Sequence, residues 1–354
     1  MNVLADASLP SLIEAFPPPF NLTTYHSQEE LIKLLGHQDV LVCRSTLKVN
    51  KELLEKTDLS YVASASSGID HLDQDYLRSR NIQIVDAKGS NATAVADYVI
   101  ASIAYLESNN IPQGKKAGII GLGHAGSKVA IRLEAAGYEL HKYDPLKELQ
   151  NPTFISCDQR ELFNCDILCV HAQLHDTSPF PSLNLIDGDF LSQLKTGCII
   201  INAARGGIIN ESALLTNKKH LIYCSDVYLN EPNIDPQIID AAYLCTPHIA
   251  GHSLEAKTAA VIMLSEKIHQ LEGISVPEFP KSVNSNRLDF SDNGKWQDQI
   301  LKLYNPKLET DLLKNAEDTK AAFLLARKNH NFRHDFSVYF KTIKNTTSRG
   351  LLGI

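Results

Sequence analysis

Short apolar runs alternate with stretches whose apolar residues recur every three or four positions, and the alternation persists through most of the chain. Val3-Leu4-Ala5-Asp6, Asp39–Ser45 and Tyr61–Ala65 predict strands that end in polar loops. Over Thr93–Ser108 the residues Val95, Val99, Ile103 and Leu106 share one helical face. Further strands are predicted at Lys116–Ile120, Glu139–Tyr143, Asp166–Val170, Cys198–Asn202, Tyr223–Val227 and around Leu244-Cys245. Ala260, Met263, Leu264 and Ile268 predict a helix over about 254–272 that returns the chain to the first unit. Gly273–Ser285, with Pro277 and Pro280, reads as a linker. The tail carries a helical pattern over Leu312–Lys328 and then the aromatic-bearing segment Phe332–Ile343. Strands alternating with helices predict an α/β fold with parallel sheets, arranged as units 1–92 and 93–253 with a tail domain over 286–354.

Composition narrows the partners. The chain has 354 residues, 44% hydrophobic and 21% charged, with a net charge of −7. That balance belongs to a globular protein and argues against nucleic acid or an anionic membrane as the main partner. An anionic substrate must therefore meet a local basic pocket. No apolar run is long enough to span a bilayer. Met1–Asp6 lacks the basic start and long apolar core of a secretory signal, so a cytoplasmic protein is expected. Seven cysteines include no Cys-x-x-Cys pair, which reads as reduced thiols. The pairs His171/His175, His248/His252 and His330/His334 lack the glutamate of a zinc-protease helix, and no metal is expected.

Gly121-Leu122-Gly123-His124-Ala125-Gly126 is a Gly-x-Gly-x-x-Gly run, weak alone but set between a predicted strand and a helix whose Val129, Ala130 and Leu133 face one side. Such glycines allow a tight turn, close approach to a pyrophosphate and close helix–sheet packing, with the helix N-terminus toward the phosphate. Asp144 ends the next strand at the spacing of an acid that binds ribose hydroxyls. A carboxylate there repels a 2′-phosphate, which favours NAD over NADP, although Lys147 is close by in sequence.

Three later strands end in polar segments: Ile201–Gly207 with Arg205, Asp226–Pro232 with Glu231, and Thr246–Gly251 with His248. Ligands of open α/β sheets bind at such ends. Arginine offers a permanently charged planar fork for a carboxylate, histidine exchanges protons near neutrality, and a neighbouring carboxylate fixes its tautomer. A surface ion pair, a turn residue before Pro232 and a buried ring are the plain structural alternatives for Arg205, Glu231 and His248.

In this order behind the glycine loop, these segments resemble the D-2-hydroxyacid dehydrogenase family over about residues 40–256. The resemblance implies two doubly wound parallel-sheet lobes, a Rossmann NAD-binding domain and a flavodoxin-like substrate domain, with the active site in the cleft between them. Arg205 would bind the substrate carboxylate, His248 would take the hydroxyl proton as hydride leaves, and Glu231 would orient His248. Asp226 would hold the nicotinamide side of the cofactor; His124, Ala125, Ala172, Ala203, Ala204, Arg205 and Gly251 complete the expected NAD contacts.

Cys43–Asn50, Ser64–Asp73, Ser90–Val99 and Thr246–Glu255 are similar to the phosphorylated-acid branch of that family. That implies a small phosphorylated 2-hydroxy acid as substrate, with Ser45 and Ser66 touching it, and a small C-terminal α+β domain that builds a homodimer. Arg44 and Lys48 are candidates for charge compensation of the phosphate, against a solvated-surface alternative. Two departures stand out. His252 replaces the branch's usual tyrosine, which alters the substrate contact there, and His171-Ala172-Gln173-Leu174 lacks the usual threonine-proline pair. The competing functions are phosphoglycerate oxidation, weakened by the short tail, and an NAD-sensing protein without turnover, weakened by the intact Arg/Glu/His trio.

Overall fold

The computed structural model describes residues 1–111, 114–279, 295–342 and 346–353. It separates into two units. The first comprises Met1–Asn91 and the segment returning from Leu254; the second comprises Ala92–Ser253 and the carboxy-terminal segment.

The first unit holds a five-stranded parallel sheet built from β1 (Asn2–Asp6), β2 (Asn21–Tyr25), β3 (Val40–Cys43), β4 (Tyr61–Ser64) and β5 (Gln83–Asp86). Its order, β2-β1-β3-β4-β5, is the flavodoxin-like one. β3 and β4 are buried on every residue, which explains their continuous apolar sequences. β2 and β5 were not expected from the apolar pattern. Both are edge strands, and β2 (Asn-Leu-Thr-Thr-Tyr) is mostly exposed, so no apolar run marks it. The helix Leu254–Leu271 covers one face of this sheet with Ala260, Val261, Leu264 and Ile268. Each large aliphatic among them contributes about 1.5–3 kcal/mol by burial. Lys267 Nζ donates to Asp86 Oδ1 at 2.8 Å, which fixes the helix along β5.

The second unit holds a six-stranded parallel sheet of β6 (Lys116–Ile120), β7 (Glu139–Tyr143), β8 (Ile167–Val170), β9 (Ile199–Asn202), β10 (Ile222–Ser225) and β11 (Leu244–Cys245), in the order β11-β10-β9-β8-β6-β7. Strand order reverses between β6 and β8, so the carboxyl ends open there. The helix Ala92–Ser108 is buried on nearly every side, beyond the single face read from the sequence, with Val99, Ile103 and Leu106 in the same core as Ile119 and Ile201.

The tail differs from expectation in two ways. The helical pattern over Leu312–Lys328 is two helices, Lys307–Lys314 and Thr319–Asn329, because Asn315 ends the first and the Asp318 carboxylate caps the second. An α+β domain was expected there, but the described tail residues form helices and a short 3-10 segment, with no strand among the described residues. Their apolar side chains have joined existing cores instead of making a new one: Ile300, Tyr304 and Phe336 enter one face of the second sheet, Leu313 and Phe323 the other. Residues 280–285 of the expected linker, 286–294 of the expected tail domain and Ile343 lie outside the described residues. All seven cysteines are free thiols. Among the described residues no helix is long and apolar enough to cross a membrane.

Candidate active site

The glycine loop leaves β6 and enters the helix His124–Ala135. Gly121 stands at φ +90°, and a Cβ there would lie 2.5 Å from the Ala172 backbone. At Gly126 a Cβ would lie 2.0 Å from the Gly121 carbonyl oxygen. At Gly123, by contrast, a Cβ would meet nothing within 4 Å. Gly123 is also the N-cap of the helix and brings no side chain to its first turn. Open space in front of uncapped N–H groups at a helix N-terminus suits a pyrophosphate, so the residues fit a dinucleotide.

Asp144 follows β7. Its Oδ2 accepts from Leu122 N at 2.7 Å and its Oδ1 from Lys147 N at 2.9 Å, so it ties the glycine loop to the next helix. Each carboxylate oxygen retains a second lone-pair direction for a ribose hydroxyl. Lys147 Nζ donates to the Leu122 carbonyl at 2.6 Å and lies over the Phe154 ring. Ala172 follows β8 and lies under Gly121. Beside it, His171 is half-buried with both ring nitrogens out of solvent and without a hydrogen-bond partner among the described residues, and burial pushes its pKa down to about 4.

Arg205, Glu231 and His248 each follow one of three adjacent strands, β9, β10 and β11. The Arg205 turn is held by Asn202, whose Nδ2 donates to the Arg205 carbonyl at 3.1 Å and whose Oδ1 accepts from Ala204 N at 3.2 Å. Arg205 Nη1 donates to the Ala204 carbonyl at 2.7 Å. Gly206 lies so close to the next segment that a Cβ would be 2.0 Å from the Tyr228 carbonyl oxygen. The Arg205 turn and the Glu231 turn are thus in backbone contact.

Glu231 and His248 form a pair. His248 Nδ1 lies 2.7 Å from Glu231 Oε2, and Glu231 Oε1 accepts from Tyr228 N at 2.9 Å. Burial alone would raise the Glu231 carboxyl, but the His248 ring and the Tyr228 N–H reverse this and its pKa is lowered. His248 has φ +56°, a conformation uncommon for a residue with a side chain. Its side chain is 28% exposed, and no protein group among the described residues bonds its Nε2. A proton acceptor with one nitrogen anchored and the other open is the arrangement general-base chemistry needs.

Asp226 is buried under the His248 loop. Its Oδ1 accepts from the Thr246 hydroxyl (2.7 Å) and Ile249 N (2.8 Å), and its Oδ2 from Ala250 N (2.8 Å). Burial pushes its carboxyl up to about 6, against the pull of His248 and these donors. The sequence marked Asp226 as a cofactor residue; the structure shows that its hydrogen bonds already hold the loop in place. Sequence reasoning missed three supports. Glu211 accepts from Leu229 N at 2.8 Å, Tyr98 lies 2.8 Å from the Thr246 hydroxyl, and Arg333 reaches the Ala250 carbonyl. Two of these three bind backbone atoms, which leave no mark in a sequence.

His252, expected to touch substrate, lies in the second unit with its ring 6.3 Å from that of His330. In the first unit, Ser45 N donates to Ser66 Oγ at 3.1 Å, so the two expected serines are neighbours. Arg44 Nε donates to Asp6 Oδ2 at 2.7 Å, which neutralises part of the charge expected for a phosphate. Its Nη atoms have no hydrogen-bond partner among the described residues, and Lys48 is exposed.

Comparison with known proteins agrees with this geometry. The model of the D-isomer specific 2-hydroxyacid dehydrogenase NAD binding domain matches residues 102–250. The chain is 56% identical over 340 residues to an erythronate-4-phosphate dehydrogenase of Legionella pneumophila (strain Lens), covering 96% of this chain and 97% of the relative. It is 33% identical over 344 residues to one of Coxiella burnetii (strain RSA 331 / Henzerling II), covering 95% and 94%. Among solved structures, an NAD complex of formate dehydrogenase from Staphylococcus aureus has a TM-score of 0.62 at 24% identity, over 77% of this chain and 96% of that one. A cofactor-bound 3-phosphoglycerate dehydrogenase of Entamoeba histolytica has a TM-score of 0.63 at 21% identity, over 77% and 96%. At these identities the two structures establish the fold.

Proposed function

The chain belongs to the erythronate-4-phosphate dehydrogenases of the D-isomer specific 2-hydroxyacid dehydrogenase family, and from that premise we propose that it oxidises 4-phospho-D-erythronate at C2. The product is (R)-3-hydroxy-2-oxo-4-phosphooxybutanoate, an early intermediate toward pyridoxal phosphate. The observation that carries the chemistry is the His248–Glu231 pair at 2.7 Å, after the two strands that follow the strand of Arg205 in the sheet.

NAD, when bound, accepts the hydride from C2. The glycine loop and Asp144 would hold it, with Ala172, Ala203, Ala204 and Gly251 alongside. Arg205 binds the substrate carboxylate and polarises the C2 oxygen. His248 Nε2 takes the hydroxyl proton, which balances the hydride lost from carbon. Glu231 holds Nδ1 and favours the imidazolium that forms. Ser45 and Ser66 are further candidates for substrate contact, and Arg44 is the candidate for its phosphate. His252 takes the place of a tyrosine contact.

Initial rates of NADH formation with purified protein test this reading. Turnover of 4-phospho-D-erythronate well above that of 3-phosphoglycerate is expected; good activity on 3-phosphoglycerate and none on phosphoerythronate would overturn it. His248→Ala is expected to bind NAD normally and lose at least 10³-fold in kcat, by roughly the worth of a general base. Unchanged turnover in that variant would favour a binding protein over an enzyme.

A homodimer is proposed as well. Leu308 and Leu312 on one tail helix, Leu324 and Leu325 on the next, and Phe332 all remain exposed in the single chain. Light scattering on the purified protein decides between monomer and dimer. A cytoplasmic location suits the seven free thiols.

A further inference from the structure

We infer that Arg333, in the carboxy-terminal segment, is a positioning residue for the catalytic loop, so that the tail is part of the active-site scaffold. This rests on the proposed role of His248. Arg333 is 3% exposed, and its Nη2 donates to the Ala250 carbonyl and, at 3.3 Å, to the Ala94 carbonyl in the first turn of Ala92–Ser108. Ala250 lies two residues after His248, and its N–H is already bonded to Asp226 Oδ2 at 2.8 Å. The two polar groups of Ala250 are therefore gripped from opposite sides, by Asp226 and by Arg333.

Neighbours of Arg333 repeat the stitching. Ser253 Oγ donates to Asp335 Oδ1 at 2.6 Å, and Phe336 N donates to Asp97 Oδ2 at 2.8 Å. Asp97 is in turn paired with Arg132 Nη2 at 2.5 Å. Residues 333–336 thus bond to residues 250 and 253, at the end of the catalytic loop, and to the helix beneath it.

A packing role does not account for an arginine here. Its guanidinium carbon lies 4.9 Å from the Tyr304 ring centroid, yet Nε and Nη1 are buried without a hydrogen-bond partner among the described residues. An apolar side chain would avoid that desolvation cost. What an apolar side chain cannot do is donate to two carbonyls at once. That fixes the loop whose His248 must keep φ +56° while its ring faces Glu231.

The test uses full-length Arg333→Met and Arg333→Lys. Amide exchange at Ile249 and Ala250, kcat and KM for the 2-hydroxy acid, the pH profile of kcat/KM and Tm are measured together. Among the described residues Glu231 and Asp226 act on His248, and Arg327 acts on Glu231, so a displaced ring changes its charged surroundings. Arg333→Met should exchange both amides faster, lose at least tenfold in kcat with KM within about threefold, and shift the inflection of kcat/KM. Arg333→Lys, able to reach one carbonyl, should recover part of the kcat. A lower Tm with kcat and inflection unchanged would reduce Arg333 to a structural role and overturn the inference. If the methionine variant does not fold, the lysine variant decides by the same readouts, and an unchanged kcat and inflection there overturns it. Wild-type protein inactive on every 2-hydroxy acid would refute the proposed function instead, while amide exchange would still report whether Arg333 grips the loop.

Discussion

His248 Nδ1 and Glu231 Oε2 lie 2.7 Å apart, and the second oxygen of Glu231 is bound to Tyr228 N, so the carboxylate is fixed at both ends. Glu231→Gln keeps the shape but removes the charge that favours imidazolium. For oxidation His248 must begin neutral, so kcat/KM rises with pH to a plateau. The variant's inflection should move to lower pH, with kcat down roughly tenfold. A pH–rate profile of both proteins checks it, and an unmoved inflection would unpair the two residues.

Asp226 accepts three hydrogen bonds from the Thr246 hydroxyl, Ile249 N and Ala250 N. Asp226→Asn places an N–H₂ donor against at least one of these donors. The expected loss is about 1–3 kcal/mol of stability from the group left unbonded. A fall in kcat of tenfold or more should accompany it, since the loop carries His248. Urea denaturation and steady-state rates measure the two effects separately.

Gly126 and Gly123 separate folding from cofactor binding. Gly126→Ala drives a Cβ to 2.0 Å from the Gly121 oxygen, so the loop must deform; stability should fall and NAD Kd rise together. Gly123→Ala meets no protein atom within 4 Å and has an ordinary φ of −72°. Its Tm should hold while NAD Kd rises at least tenfold, because the methyl occupies the space assigned to the pyrophosphate. Thermal melts and cofactor titration, monitored by fluorescence, distinguish the two. Equal NAD affinity in Gly123→Ala and wild type would move the phosphate elsewhere.

His171 gives a pH dependence with a definite sign. Its folded pKa is pushed down to about 4 by burial, against an unfolded value near 6.5. The unfolded chain therefore binds the proton first, and stability present above pH 6.5 is lost as pH falls toward 4. From pH 7.5 to 5 this one group removes about 2 kcal/mol. His171→Leu should lack that loss, so wild type and variant should diverge on acidification in urea melts. Parallel pH dependences would show that the ring protonates freely in the native state.

The sequence was most legible where burial was complete. β3, β4, β8 and β9 are buried along their whole length, and continuous apolar runs announce them. β2 escaped because an edge strand in contact with water needs no apolar run. The tail was misjudged for a different reason: Ile300, Leu313, Phe323 and Phe336 look like a small domain's core, but they complete cores that began two hundred residues earlier. At the site, Arg205, Glu231 and His248 stood out by their side-chain chemistry, and the fold sets them after three adjacent strands. Glu211 and Arg333 were not, because each acts on a peptide group of another segment, and any residue could supply that group.

Gly206 has a mechanical consequence. With only a hydrogen between its Cα and the Tyr228 carbonyl, the turn proposed to bind the anion and the turn that carries Glu231 are in backbone contact and are expected to move as one part. Neither can drift without prying two backbones apart. Heat should then inactivate the protein in a single step that coincides with loss of structure, with little gradual decline in catalytic quality beforehand.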